Sequence, residues 1–275
     1  KTLTITSVAS GTLNDTSLSN RILLGNGNTL RIVAGGTPVI NSVVMSGTGT
    51  LDIDASATFT AVTNAGATST TIDVASGVIA TIATPTLSTA VTLNGAATSS
   101  VLAFTNAGTL TGTITVTGSP VIQFGGASTV SRIDATTGTI TDNGGTTVSD
   151  LRATFGTGGT FTWGGSASGT ITTLANALPG AGETLNKVGT GTLTIASGFT
   201  TAFANAAGVK LDIDAGTVVL GSAGTNDDVT FNDDADEITV ASGATLTTYG
   251  SFSVGAAGAN VNLDPVPYFS RYLPS

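Results

Sequence analysis

The sequence predicts an all-β fold, a right-handed parallel β-helix (β-solenoid) of roughly 20–25 residues per coil. Three observations predict it: short apolar/polar alternations without helical spacing, recurring short motifs, and a polar composition that carries little charge. Of 275 residues, 40% are hydrophobic, 9% charged and 5% aromatic, and 37 are Gly. An ordinary globular chain is roughly 25% charged, so the surface here must be covered by Thr, Ser, Asn and Gly. Disorder is excluded, because it pairs low hydrophobicity with high net charge. β-branched Thr favours strands, whereas Gly and Asn favour turns.

Taken in order, the clearest alternations are Thr2–Thr6, Leu51–Asp54, Thr113–Thr117, Thr192–Ile195 and Leu211–Asp214. In each, aliphatic side chains fall on one face and Thr or Asp on the other, the pattern of a half-buried strand. Gly, Asn and Ser clusters separate the runs too closely for helices to intervene.

Repetition decides between a sandwich and a solenoid. Val-Ala-Ser-Gly occurs at Val8, Val74 and Val240, and Thr-Asn-Ala-Gly at Thr63 and Thr105. Gly-Thr-Gly-Thr-Leu opens at Gly47 and Gly189, and Leu-Asp-Ile-Asp-Ala at Leu51 and Leu211. The displacements of 66 (Val8 to Val74) and 42 (Thr63 to Thr105) are multiples of 22 and 21, while the others require coils of unequal length. A solenoid also accounts for the composition. Its narrow interior takes aliphatics more readily than aromatics, and charges stacked on like charges in neighbouring coils would repel.

Leu185–Ile195 reads Leu-Asn-Lys-Val-Gly-Thr-Gly-Thr-Leu-Thr-Ile, and Lys210–Gly221 closes with Ala-Gly-Thr-Val-Val-Leu-Gly. Together they resemble the autotransporter-associated β-strand repeat, roughly Leu-x-Lys-x-Gly-x-Gly-Thr-Leu-x-Leu, a variable loop, then a strand ending Ala-Gly-Thr-Leu. The clear match covers about 37 residues. The resemblance implies a right-handed parallel β-helix of the passenger type, exported and displayed on a bacterial surface.

The absence of Cys excludes a thiol nucleophile, a disulfide framework and a zinc–thiolate site, and the absence of His removes the commonest general base. A net charge of −9 with eight scattered basic residues excludes a nucleic-acid footprint. No apolar run approaches the ~20 residues of a spanning helix, so membrane insertion is not expected. The chain begins at Lys1 inside a strand-like run, read as a processed start or a fragment. With the composition, this leads to an expected extracellular or cell-surface location.

Candidate chemistry is sparse. Asn226–Glu237 holds six of the 17 acids, and Asp227, Asp233, Asp234 and Asp236 form a candidate Ca²⁺ site, since Ca²⁺ takes six to eight oxygen ligands. A solvated acidic loop is the competing reading. No other cofactor is expected. Asp52/Asp54 and Asp212/Asp214 raise a polysaccharide-active enzyme as a distant third reading. They stand alone in sequence apart from Lys210, and the single Trp163 lies far from them, so no enzyme is expected. Thr-x-Thr triplets resemble ice-binding faces, but their irregular spacing in sequence favours ordinary strand propensity.

Residues 1–263 read as the solenoid and 264–275 as a Pro- and aromatic-rich tail. Pro265, Pro267, Tyr268, Phe269, Arg271, Tyr272 and Leu273 either cap the last coil or dock on a neighbouring copy. The leading expectation is an extracellular structural subunit with copies of itself as partners, joined head to tail. The alternative is an adhesin-type passenger domain that binds cell-surface ligands.

Overall fold

The computed structural model describes residues 1–6, 12–13, 21–33, 37–64, 66, 69–97, 99–135, 137–153, 159–175, 182–199, 208–223, 228–231, 235–254, 260–263 and 268–271. Two compact units, Lys1–Arg132 and Ile133–Ser275, divide the chain. The same construction recurs in each.

In unit 1 the strands are β1 (Thr2–Thr6), β2 (Thr12–Leu13), β3 (Arg21–Leu24), β4 (Thr29–Val33), β5 (Val39–Met45), β6 (Thr50–Ile53), β7 (Ala57–Thr63), β8 (Thr70–Val74), β9 (Ile79–Thr86), β10 (Val91–Gly95), β11 (Val101–Phe104), β12 (Thr109–Gly118) and β13 (Val121–Phe124). From β4 onward they alternate between two sheets. Sheet A runs β1-β4-β6-β8-β10-β12, and sheet B runs β2-β5-β7-β9-β11-β13 with β3 also on β5. The pairings are parallel throughout, for example Thr29↔Thr50 and Ala57↔Ala80. Parallel neighbours need a crossover between them, and here the intervening strand of the other sheet supplies it. The fold is a parallel β-solenoid.

The division between the units falls within β14 (Thr129–Ala135). Unit 2 holds β15 (Gly138–Asp142), β16 (Thr147–Ala153), β17 (Thr160–Gly164), β18 (Gly169–Leu174), β19 (Thr184–Lys187), β20 (Thr192–Ile195), β21 (Lys210–Ile213), β22 (Thr217–Leu220), β23 (Val229–Phe231), β24 (Glu237–Val240), β25 (Thr245–Thr248), β26 (Phe252–Val254), β27 (Asn260–Leu263) and β28 (Tyr268–Arg271). Sheet A here is β16-β18-β20-β22-β25-β28, sheet B is β15-β17-β19-β21-β24-β27, and β23 pairs β26 separately. Register offsets extend beyond the expected coil length in both directions. They run from 19 at Val39↔Thr58 to 28 at Thr217↔Thr245.

Alternation places every second side chain inside. One interior column of unit 1 is Leu30, Leu51, Ile72, Leu93 and Val116, each in register with the next and each buried. Burying such a side chain contributes about 1.5–3 kcal/mol. The aromatics whose side chains are described also lie largely inside. Phe59, Ile82, Phe104 and Phe124 form one column of sheet B, and the Phe104 and Phe124 rings sit 5.5 Å apart, tilted. In unit 2, Trp163 is among the largest fully buried side chains. The interior columns therefore hold aromatics among aliphatic neighbours, and in one place two of them, Phe104 and Phe124, stack directly on each other.

Close winding also restricts the corners. A Cβ on Gly112 would run into the Thr89 backbone, so adjacent coils touch main chain to main chain at that point.

Trp163→Ala should cost about 3–5 kcal/mol, whereas Thr162→Ala, one residue away on the outer face, should stay within about 0.5 kcal/mol. Denaturant midpoints measure both, and equal losses would contradict the inward/outward assignment.

Candidate functional site

Stacking turns residues scattered in sequence into columns about 4.8 Å apart. On the outer face of sheet A in unit 1, Thr2, Thr29, Thr50, Thr71, Thr92 and Thr115 stand in successive register. The sequence spacing of these threonines looked irregular because the coils differ in length; in space they form one ladder. The adjacent column is Thr4, Arg31, Asp52, Asp73, Asn94 and Thr117. Its charges keep the face from being a uniform hydroxyl lattice.

That second column gathers polar groups. Arg31 Nε and one terminal nitrogen each lie 2.6 Å from Asp54 Oδ2, and Nε lies 3.3 Å from Asp52 Oδ2. Asn94 Nδ2 donates to Asp73 Oδ1 at 3.0 Å, and Thr117 Oγ1 donates to Asn94 Oδ1 at 3.1 Å. Desolvation, then the neighbouring Asp54 and Asp73 charges, push the Asp52 carboxyl above its ordinary value, with Arg31 opposing. Read along the chain, Asp52 and Asp54 had no basic partner. A coil of 21 residues (Arg31↔Asp52) puts Arg31 beside them. The cluster lies on a sheet face, and its carboxylates are engaged by Arg31 and Asn94. A shallow recess of about 440 Å³ lies elsewhere in unit 1, lined by Thr84, Pro85, Thr86, Ala107, Gly108, Thr109, Ala127 and Thr129. It carries no acid, base or nucleophile stronger than a threonine hydroxyl.

In unit 2 the Lys of Leu-Asn-Lys-Val-Gly-Thr-Gly-Thr-Leu acquires a physical reason. Lys187 occupies an interior position between Trp163 and Ile213 in register, and is buried. Its Nζ donates to the carbonyls of Val188 at 2.8 Å, Gly189 at 2.7 Å and Ala215 at 3.3 Å. The side chain therefore ties the Gly-x-Gly turn of one coil to the Ala-Gly-Thr turn of the next. Gly216, at φ 74°, leaves room for it, since a Cβ there would lie 3.0 Å from Nζ. Desolvation pulls the ammonium below its ordinary value.

Asp212 stands on the outer face of sheet B, between Asn186 and Thr239 in register. Burial raises its carboxyl above the ordinary range, opposed by a hydrogen bond from Thr239. In the neighbouring column Lys210 pairs with Glu237 at 3.2 Å. Asp142 serves a turn. Its Oδ1 accepts from Gly144 N, Gly145 N and Thr146 Oγ1, and Oδ2 accepts from Thr146 N.

Of the residues proposed for Ca²⁺, Asp227, Asp233 and Asp234 lie outside the described residues. Asp236 is described and buried, its Oδ1 accepting from Val209 N at 3.0 Å. Among the described residues no three acids gather to hold a metal. Of the tail, Tyr268, Phe269 and Arg271 belong to β28, which pairs with β25 in parallel as Thr245↔Tyr268 through Thr248↔Arg271. Pro265, Pro267, Tyr272 and Leu273 lie outside the described residues. Trp163 is interior and offers no platform to a sugar. Among the described residues no helix is long and apolar enough to cross a membrane. No family model, curated protein or solved structure matches the chain.

Two titrations follow with opposite signs. The native carboxyl of Asp212 sits above its unfolded value, so its stabilisation is full below the ordinary carboxylate range and is lost as pH rises through the raised value. Asp212→Asn should therefore raise the melting temperature at neutral pH and shrink the gain that the parent shows on acidification. The native ammonium of Lys187 sits below its unfolded value, so stability grows with pH in the window leading up to the ordinary lysine value. Lys187→Met should abolish that growth. By withdrawing the donor from three carbonyls it should also cost about 1–3 kcal/mol at neutral pH. Melting curves across pH read both variants.

Proposed function

We propose that this chain is an extracellular structural subunit, a β-solenoid that stacks end to end with copies of itself into a filament or surface array. One observation carries the reading. Among the described residues, nothing pairs with the outer edges of β1 and β28, the end strands of sheet A. Such an edge is a row of unpaired N–H and C=O groups. A contact between unlike ends repeats without closing and builds a filament. The aromatic segment read as either a cap or a docking strap supplies β28 itself, so the proposed joint is strand addition of β28 in one copy to β1 in the next.

Export and surface display rest on composition and on the resemblance of Leu185–Gly221 to the autotransporter-associated repeat. A structural role is favoured over catalysis because the clustered carboxylates are engaged by Arg31 and Asn94 on an open face. The adhesin reading draws on a different observation, the longer coils of unit 2. Offsets there reach 26 at Thr184↔Lys210 and 28 at Thr217↔Thr245, lengths that leave room for loops of the kind that usually carry ligand-binding residues.

Electron microscopy of the purified protein should show filaments or regular arrays. Thr4→Pro, which removes an outward-facing N–H from the free edge of β1, since the Lys1 carbonyl and the Leu3 amide are the ones turned toward β4, should abolish them while leaving the main thermal transition in place. A protein that stays monomeric at its highest attainable concentration, in particles of single-copy length, would reject end-to-end assembly and favour the adhesin.

A further inference from the structure

The outer faces of the sheets differ in charge. Strands β5, β7, β9, β11 and β13, five successive neighbours in sheet B of unit 1, contain no Asp, Glu, Lys or Arg. Sheet A of the same unit carries Arg31, Asp52 and Asp73 on its outer face. The outer columns of the sheet B face are Ile79, Val101 and Val121, and beside them Thr81, Ala103 and Gln123. Ile79 is 49% exposed, one of the few large apolar side chains left in solvent.

We infer that this charge-free face is a lateral interface that receives the same face of a second copy. Three considerations select a second copy as the occupant. The chain carries −9, so two copies repel over most contacts, and a face without acids is where they can meet without opposing like charges. A flat, twisted sheet is best covered by another sheet about 10 Å away. The β-branched ridge Ile79–Val101–Val121 can lie along the lower column Thr81–Ala103 of its mate in an isologous pair. The third consideration is area. Five strands by a strand of up to eight residues make a face of about 500 Å² per copy, or about 1,000 Å² for the pair, at the lower bound of a specific interface. Such a contact is weak between two free copies and gains strength where many are held side by side. It does not require end-to-end stacking, and a bundle would need both.

The absence of Cys makes single-cysteine variants unambiguous. Thr81 lies on β9, the middle strand of the five, so a two-fold pair would bring two Thr81→Cys side chains together. Thr92→Cys, on the outer face of sheet A, is the control. Under mild oxidation, in a size-selected fraction that holds no filaments, Thr81→Cys should form covalent dimers at least several-fold faster than Thr92→Cys. Adding Val101→Lys, or Gln123→Lys should the first variant melt early, should bring the rate down to that of the control. Equal rates for the two cysteines, or no slowing by either lysine, would overturn the lateral interface. Because the fraction contains no filaments, the result stands apart from whether the ends stack.

Discussion

Everything in this molecule depends on parallel strands stacked in register with alternate side chains turned inward. That constraint makes a column the unit of design. What matters for Leu51 is less its neighbours in sequence than Leu30 and Ile72 on either side of it in space. The interior columns are apolar because each position is enclosed by its own coil and by the coils above and below. The outer columns are free to be polar, and one column of sheet A in unit 1 is threonine throughout, a residue whose branched Cβ suits the strand while its hydroxyl suits water.

Charge is the hardest thing for such a stack to accommodate, and the structure shows how it does so. Asp52 lies directly over Asp73, an arrangement the stacking geometry penalises. Arg31 from the coil on one side and Asn94 from the coil on the other engage the two acids. Lys210 over Glu237 is the simpler solution, opposite signs in register. Lys187 is a third. Its aliphatic stem continues an interior column, and its ammonium gathers the carbonyls of two successive turns. A solenoid has many corners where carbonyls point inward, and a lysine emerging from the core can satisfy several at once.

These devices bear on assembly. Among the described residues nothing pairs with the outer edges of β1 and β28, and the axial contact proposed there would carry little sequence information. A charge-free lateral face would add side-chain specificity. Association along the axis and across it would then rest on different chemistry, backbone hydrogen bonds in one direction and apolar packing in the other.

Much of the fold was legible in the sequence because strand alternation is local. Runs such as Thr192–Ile195 and Lys210–Ile213 show their two faces within four residues, and Gly and Asn mark the corners. Contacts between coils were not legible. Leu-Asp-Ile-Asp-Ala recurs at Leu51 and Leu211, yet the first copy enters β6 of sheet A and the second β21 of sheet B, so the echo reflects strand chemistry rather than equivalent position. Asp52 looked isolated because Arg31 is a full coil away, and the threonine ladder was hidden because its members lie 21 to 27 residues apart along the chain. The sequence by itself determined that strands form, which side chains turn inward, and that a stack of coils rather than a two-sheet sandwich buries them. Only the tertiary structure decided which coil lies on which, because register is set by corner lengths and packing summed over a whole turn, and no local pattern encodes that sum.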